Sequence, residues 1–343
     1  MTEKILSKDK KSINPKEIIM NGGIYLVLVL LLIMIIVKDP SFLSLRNFQN
    51  ILTQSSVRII IALGVAGIIV TQGTDLSVGR QVGMAALLSA TLLQAVTNPN
   101  KVFKGLATLP IPLVILIVII LGAIFGLVNG LIVAKLNVVP FVTTMGTMVI
   151  VYGINSLYFD YVGASPVAGF SPKYSEVAQG YLFKIGQLSP SKLILYAVVA
   201  IIFMWILWNK TVFGKNLFAV GGNPEAARVS GVNVARTLIT VYILSGIMYA
   251  LGGFLEAARI GSATNNLGFM YEMDAIAACV VGGVSFSGGV GKISGVVAGV
   301  IIFTLINYGL TYVEVSPYWQ YIIKGIIIIV AVAIDVLKYK KNK

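Results

Sequence analysis

Apolar runs of about membrane-crossing length alternate with short polar connections along nearly the whole chain. The first is Ile18 to Val37, followed by Val57 to Gln72, Ser77 to Thr97, Leu109 to Ala134, Val138 to Phe159 and Lys192 to Trp208. Four more lie at Thr237 to Ala257, Met273 to Phe286, Ile293 to Val313 and Tyr318 to Val336. A bilayer-spanning helix takes roughly 20 residues, so the pattern predicts an all-α polytopic membrane protein with ten transmembrane helices. The second and eighth runs are short and glycine-rich, which leaves counts of eight or twelve open. The layout is a tail over residues 1–17, one transmembrane domain over 18–336, and a basic tail over 337–343. Two connections, 160–191 and 209–236, are long enough to hold structure of their own. The first run follows Lys4, Lys8, Lys10, Lys11 and Lys16 and lacks a small-residue cleavage site, so it reads as a retained helix.

Composition agrees. Of 343 residues 57% are apolar and only 11% are Asp, Glu, Lys or Arg, which excludes an ordinary soluble domain. The net charge of +13 would suit a nucleic-acid partner in a soluble chain. Here the basic residues sit in the tails and between apolar runs, so nucleic-acid binding is set aside. With the N-terminus inside, 16 Lys and Arg fall on the inner side and 9 on the outer, counting Arg58 as outer and leaving Lys324 within the last span. That excess places both tails in the cytoplasm. One cysteine, Cys279, in an apolar run, rules out an intramolecular disulfide and a cysteine metal cluster, and the absence of histidine removes the commonest metal ligand. No metal site is expected.

The inner connection contains a short helix with defined ends. Asn223 can cap its N-terminus, Pro224 suits the first position, and Glu225 and Arg228 complement the helix dipole. Gly231 can supply the left-handed stop. The small residues Ala226 and Ala227, with Ser230 at the end, would let another backbone approach; a solvated connector is the alternative. The outer connection, with Pro166, Pro172 and Pro190, is irregular or holds short helices, as a docking surface or as a lid. Glycines recur every fourth residue at Gly122, Gly126 and Gly130 in the fourth span and at Gly291, Gly295 and Gly299 in the ninth, which are ridges for close helix packing. Spans two to five and seven to ten are candidate inverted repeats on this basis, although both ridges fall nearer the inner side.

Chemistry is sparse. The segment Gly288 to Ser294 resembles a phosphate loop but has Phe286 and Ile293 where Gly and Ser or Thr are required. Any ATP, with its Mg, is therefore expected on a partner, and no catalytic residues or cofactor are expected in this chain. Asp75, in the polar break Thr71 to Arg80, could cap the next helix, pair with Arg80 or touch a solute. Lys324 lies about 10 Å into the last span, within reach of snorkelling. In the fifth span Thr143, Thr144 and Thr147 share a face, with Tyr152 and Asn155 beyond them. They either line a path for a neutral solute such as a sugar or bond their own backbone and neighbours. An ion-coupled carrier is the rival class, and it would rely on an acid such as Asp75.

The ten-span layout, the segment Gly-Thr-Asp-Leu-Ser-Val-Gly at 73–79 and the segment Gly-Gly-Asn-Pro-Glu-Ala-Ala-Arg-Val-Ser-Gly at 221–231 resemble permease subunits of the monosaccharide ABC importers for ribose, galactose and arabinose. The segments 261–271 and 280–291 are most similar to the galactose/methyl galactoside branch. The resemblance implies a homodimer in the bacterial inner membrane with the sugar path near the two-fold axis. It implies a cytoplasmic tandem-domain ATPase that binds Mg-ATP and a periplasmic sugar-binding protein as partners. It also implies that Asn223 to Gly231 couples the permease to the ATPase.

Overall fold

The computed structural model describes residues 28–340, with side chains to residue 334. The tail at 1–17, the start of the first span and the end of the C-terminal tail lie outside the described residues. Every expected span appears as a helix. They are α1 (Leu28–Lys38, the described part of the first run), α2 (Leu45–Val70), α3 (Val78–Leu92), α4 (Ile111–Lys135) and α5 (Pro140–Tyr161). After the two-residue strand β1 (Val167–Ala168) and α6 (Pro172–Gln179) come α7 (Lys192–Lys210), α8 (Val212–Gly222), α9 (Pro224–Val229) and α10 (Val234–Ile260). Strand β2 (Ser262–Ala263), α11 (Tyr271–Val281), α12 (Ile293–Tyr312) and α13 (Pro317–Lys340) complete the chain. Among the described residues seven helices are long and apolar enough to cross a membrane. The three shorter ones are α1 as described, α3 with 15 residues and α11 with 11.

The central helix is α10, which packs on α2, α3 and α4. The α4 contact is the tightest because glycine removes the side chain from both surfaces. A Cβ on Gly122 would land on the Gly246 carbonyl oxygen, one on Gly126 on that of Tyr242, and one on Gly130 would sit 2.8 Å from Ile239 Cα. The second ridge works between α11 and α12, where Cβ atoms on Gly295 and Gly299 would land on the carbonyl oxygens of Gly282 and Ala278. Gly291 is a correction. It precedes α12, in the turn beneath α2, with Val70 Cγ2 3.0 Å from where its Cβ would be.

Helix contacts repeat between the two halves. α4 packs on α10 as α12 packs on α2, and α3 packs on α5 as α11 packs on α13. In each half a long helix is followed by a non-helical break and then a short helix: α2, 71–77, α3 and α10, 261–270, α11. Element order and contacts thus repeat between spans two to five and seven to ten. The glycine ridges are not symmetry mates, since one faces α10 and the other α11.

The 160–191 connection covers the end of the bundle where α10 finishes. Val167 pairs antiparallel with Ala263. The fully buried Tyr174 donates to the Phe254 carbonyl at 2.7 Å, which seats α6 on α10. Lys192 lies 2.6 Å from Glu176 and holds that carboxyl below the usual carboxylate range.

Candidate functional site

At the other end of the bundle α9 has the ends its sequence predicts. Asn223 Oδ1 accepts from the backbone N–H groups of Glu225 and Ala226, both at 3.0 Å, and Pro224 occupies the first turn. Glu225 and Arg228 form an exposed pair at 3.3 Å. The Ser230 N–H bonds the Ala226 carbonyl, and Gly231 turns the chain at φ +84°. Only Ala227 is buried; Val229 is 89% exposed, an apolar side chain at the tip of a charged helix. Asn223→Ala should leave two amides of this turn unpaired and cost about 1 kcal/mol of local stability, measurable as faster amide exchange confined to 224–229.

The base of α9 is locked to the membrane helices. Gln72, in the left-handed region at φ +62°, donates through Nε2 to the Gly221 carbonyl at 2.7 Å. Gly289 N–H bonds the Val70 carbonyl at 2.9 Å. A Cβ on Gly221 would land on that same Val70 oxygen and 2.7 Å from Gly289 N. The phosphate-loop look-alike is thus a tight turn, with Gly288 and Gly289 both at positive φ, that wedges between the end of α2 and the end of α8.

From this joint the chain runs into the break at 71–77. Asp75 is 2% exposed and turns to Ser77, accepting from its backbone N–H at 2.8 Å and its hydroxyl at 2.5 Å. Pairing with Arg80 does not occur. Ser77 Oγ in turn accepts from Gln81 at 2.8 Å and Asn129 at 3.3 Å. Thr147 donates to Asn129 Oδ1 at 2.5 Å. Thr144 Oγ1 accepts the Leu76 N–H at 3.1 Å and lies 3.3 Å from the Thr74 carbonyl. Thr143, Thr144, Thr147 and Asn155 are all buried, so the shared face of α5 is turned onto α3, α4 and the break. Thr144 satisfies the Leu76 amide, backbone that a helix would have satisfied itself, while Thr147 bonds the Asn129 side chain and Thr143 Oγ1 has no hydrogen-bond partner.

Tyr152 alone among the five α5 candidates is well exposed, at 41%. Its ring lies 4.2 Å from the Arg80 guanidinium, with Phe269 5.5 Å from the same group on the other chain break. Asn155 Nδ2 donates to the Asn265 carbonyl at 3.2 Å. Residues 265–269 lie in a connection between spans, and no periodicity in the sequence brings them to this site. Backbone contact between Gly79 and Gly268 brings them to the start of α3.

A second charged cluster joins residues far apart in the sequence. Because α2 begins at Leu45, Arg58 is not in an outer connection but about 20 Å along the helix. It meets Asp274 at 2.6 Å, and Lys324 meets the same carboxylate at 2.8 Å, so Lys324 is paired rather than snorkelling. Beside them Glu256 holds Arg259 at 2.8 Å and accepts the Tyr271 hydroxyl at 2.5 Å.

A polytopic bundle of apolar helices, with breaks between α2 and α3 and between α10 and α11 and a capped helix at one end, has the build of a multi-pass membrane permease, a transport component. Residues 47–332 match the family described as branched-chain amino acid transport system / permease component, and the chain belongs to it. The chain is 69% identical over 322 residues to the galactose/methyl galactoside import permease protein MglC of Escherichia coli, covering 94% of this chain and 96% of that one. It is 65% identical to the protein of that name from Haemophilus influenzae, over 95% of this chain and 97% of that one. With the ribose import permease protein RbsC of Bacillus subtilis it shares 35% identity over 96% and 97% of the two chains. No solved structure matches the chain.

Proposed function

We propose that the chain is the membrane-spanning subunit of an ABC importer for galactose and methyl galactosides. The observation that carries this reading is 69% identity, across almost all of both chains, to a permease with that named substrate. Ribose or another monosaccharide is the runner-up, supported by the lower 35% identity to the ribose permease. The importer works as a homodimer in the bacterial inner membrane, with both tails in the cytoplasm. A tandem-domain ATPase binds Mg-ATP below it and a periplasmic protein delivers sugar above.

In this reading Asn223, Pro224, Glu225, Ala226, Ala227, Arg228, Ser230 and Gly231 form the coupling helix. Closure of the ATPase pair displaces α9, and the joint of Gly221, Gln72 and Gly289 passes that displacement to the break at 71–77. The bundle then rocks between outward-open and inward-open states. Asp75 and the threonines hold the break; Tyr152 and Asn155 border the path. The sugar is neutral, so its driving force comes from the partner's nucleotide.

The test is uptake of labelled sugars by proteoliposomes holding the complete complex. Uptake that requires ATP and the binding protein, with galactose preferred, supports the reading. Sugar flux driven by an ion gradient without the ATPase would overturn it in favour of a secondary carrier. Glu225→Ala and Arg228→Ala should each lower uptake about tenfold, the loss of about 1.4 kcal/mol at a docking contact, with membrane content unchanged. Unaltered transport in both variants counts against α9 as the docking element.

A further inference from the structure

Arg80 is a half-buried cation at the start of α3; Glu272 is near enough to act on it electrostatically, yet no carboxylate lies within ion-pair distance of it among the described residues. It is the third residue of α3, about 18 Å of helix from the far end at Leu92. Tyr152 is near the middle of α5. A charged side chain at such depth is stable only against a polar partner or a watered path. Its partners here are two aromatic faces, Tyr152 at 4.2 Å and Phe269 at 5.5 Å, and the Asn266 side-chain oxygen at 3.4 Å. Both rings are exposed, at 41% and 47%. Beside them the buried Asn155 Oδ1 has no hydrogen-bond partner, while its own Nδ2 is fixed on Asn265.

Two half-exposed rings, a guanidinium with unused donors, a free amide and, buried behind them, an unpaired amide acceptor are an unusual set to collect where the start of α3 meets the 261–270 break. They match one kind of solute. A pyranose has an apolar C–H face that suits an aromatic ring and a rim of hydroxyls that both donate and accept, which Asn and Arg can answer. The positive charge at the same point repels protons and metal cations. We propose that Arg80, Tyr152, Phe269, Asn155 and Asn266 form the sugar-contacting constriction of the permease, at which a neutral monosaccharide displaces the guanidinium from the rings and passes. This inference rests on the monosaccharide reading above and adds the residues that would discriminate among sugars.

The experiment uses the complete complex in proteoliposomes, comparing wild type with Arg80→Ala and Phe269→Leu on labelled galactose, methyl galactoside, glucose, ribose and xylose. Both variants should change the ratio of galactose flux to flux of the other sugars at least threefold. ATP hydrolysis stimulated by loaded binding protein should stay within twofold of wild type. Unchanged ratios overturn the proposal, and so does a parallel fall of transport and stimulated hydrolysis, which would mark the cluster as structural. Should Arg80→Ala fail to assemble, Asn266→Cys decides, since the native Cys279 is buried. A hydrophilic thiol reagent should modify Cys at 266 and block uptake; lack of modification overturns the constriction. A wild-type complex that carries none of the five sugars would refute the importer reading itself, a separate outcome.

Discussion

Gly126→Leu is expected to leave no assembled permease in the membrane. The Cβ alone would land on the Tyr242 carbonyl oxygen and come within 2.8 Å of Ile243 Cα. Both obstacles are backbone of α10, so no rotamer change relieves them and the two helices must separate. Overpacking a core that can adjust costs about 1–3 kcal/mol; separating α4 from α10 here exceeds that range, because the contacts of Gly122 and Gly130 open along with it. Gly325→Ala in α13 is the control, since nothing lies within 4 Å of the Cβ position there. Helix propensity favours that change by about 1 kcal/mol. Membrane abundance and melting temperature in detergent should therefore move in opposite directions for the two variants. A Gly126→Leu permease that melts like wild type would contradict the close-contact geometry.

The sequence was most legible where one force dominated. Hydropathy alone places α4, α5, α7, α10, α12 and α13 within a few residues of their observed ends. The caps of α9 are equally local: Asn223 bonds amides two and three residues away, so no tertiary knowledge is needed. Failures came where a polar side chain is satisfied from a distance. The first half of α2 carries Asn47, Gln49, Asn50, Gln54 and Arg58 and so reads as a connection, yet Asn47 bonds the Phe42 carbonyl and Arg58 meets a carboxylate on α11. α8 lies in the 209–236 connection, and its glycines Gly214, Gly221 and Gly222 hide its helical character. Two of these glycines are there for contact: Cβ atoms on Gly214 and Gly221 would strike the carbonyl oxygens of Trp208 and Val70. The α5 threonines were correctly placed on one face, but periodicity does not say what that face meets.

Asp274→Asn should be the most damaging single change among the charged residues. The carboxylate is 7% exposed and balances two cations, Arg58 from α2 and Lys324 from α13. Neutralising it leaves both charges without a directly bonded counter-ion, with only the Arg259-paired Glu256 acting on Arg58 from further off, and removing one partner of a buried pair costs about 3–5 kcal/mol. The loss should be read as a lower melting temperature and as detachment of α13, whose spanning window is only 11% buried and which Lys324 ties to the bundle. Removing the whole cluster is a different matter, because well-packed apolar side chains can replace a buried ionic group at no net cost. The triple variant Arg58→Met, Asp274→Leu, Lys324→Met should therefore recover stability that Asp274→Asn alone loses. If the triple variant is stable but does not transport, the ion cluster has a role in movement as well as in folding. If Asp274→Asn melts and transports like wild type, the three charges are not electrostatically linked, and the packing of α13 rests on its apolar contacts alone.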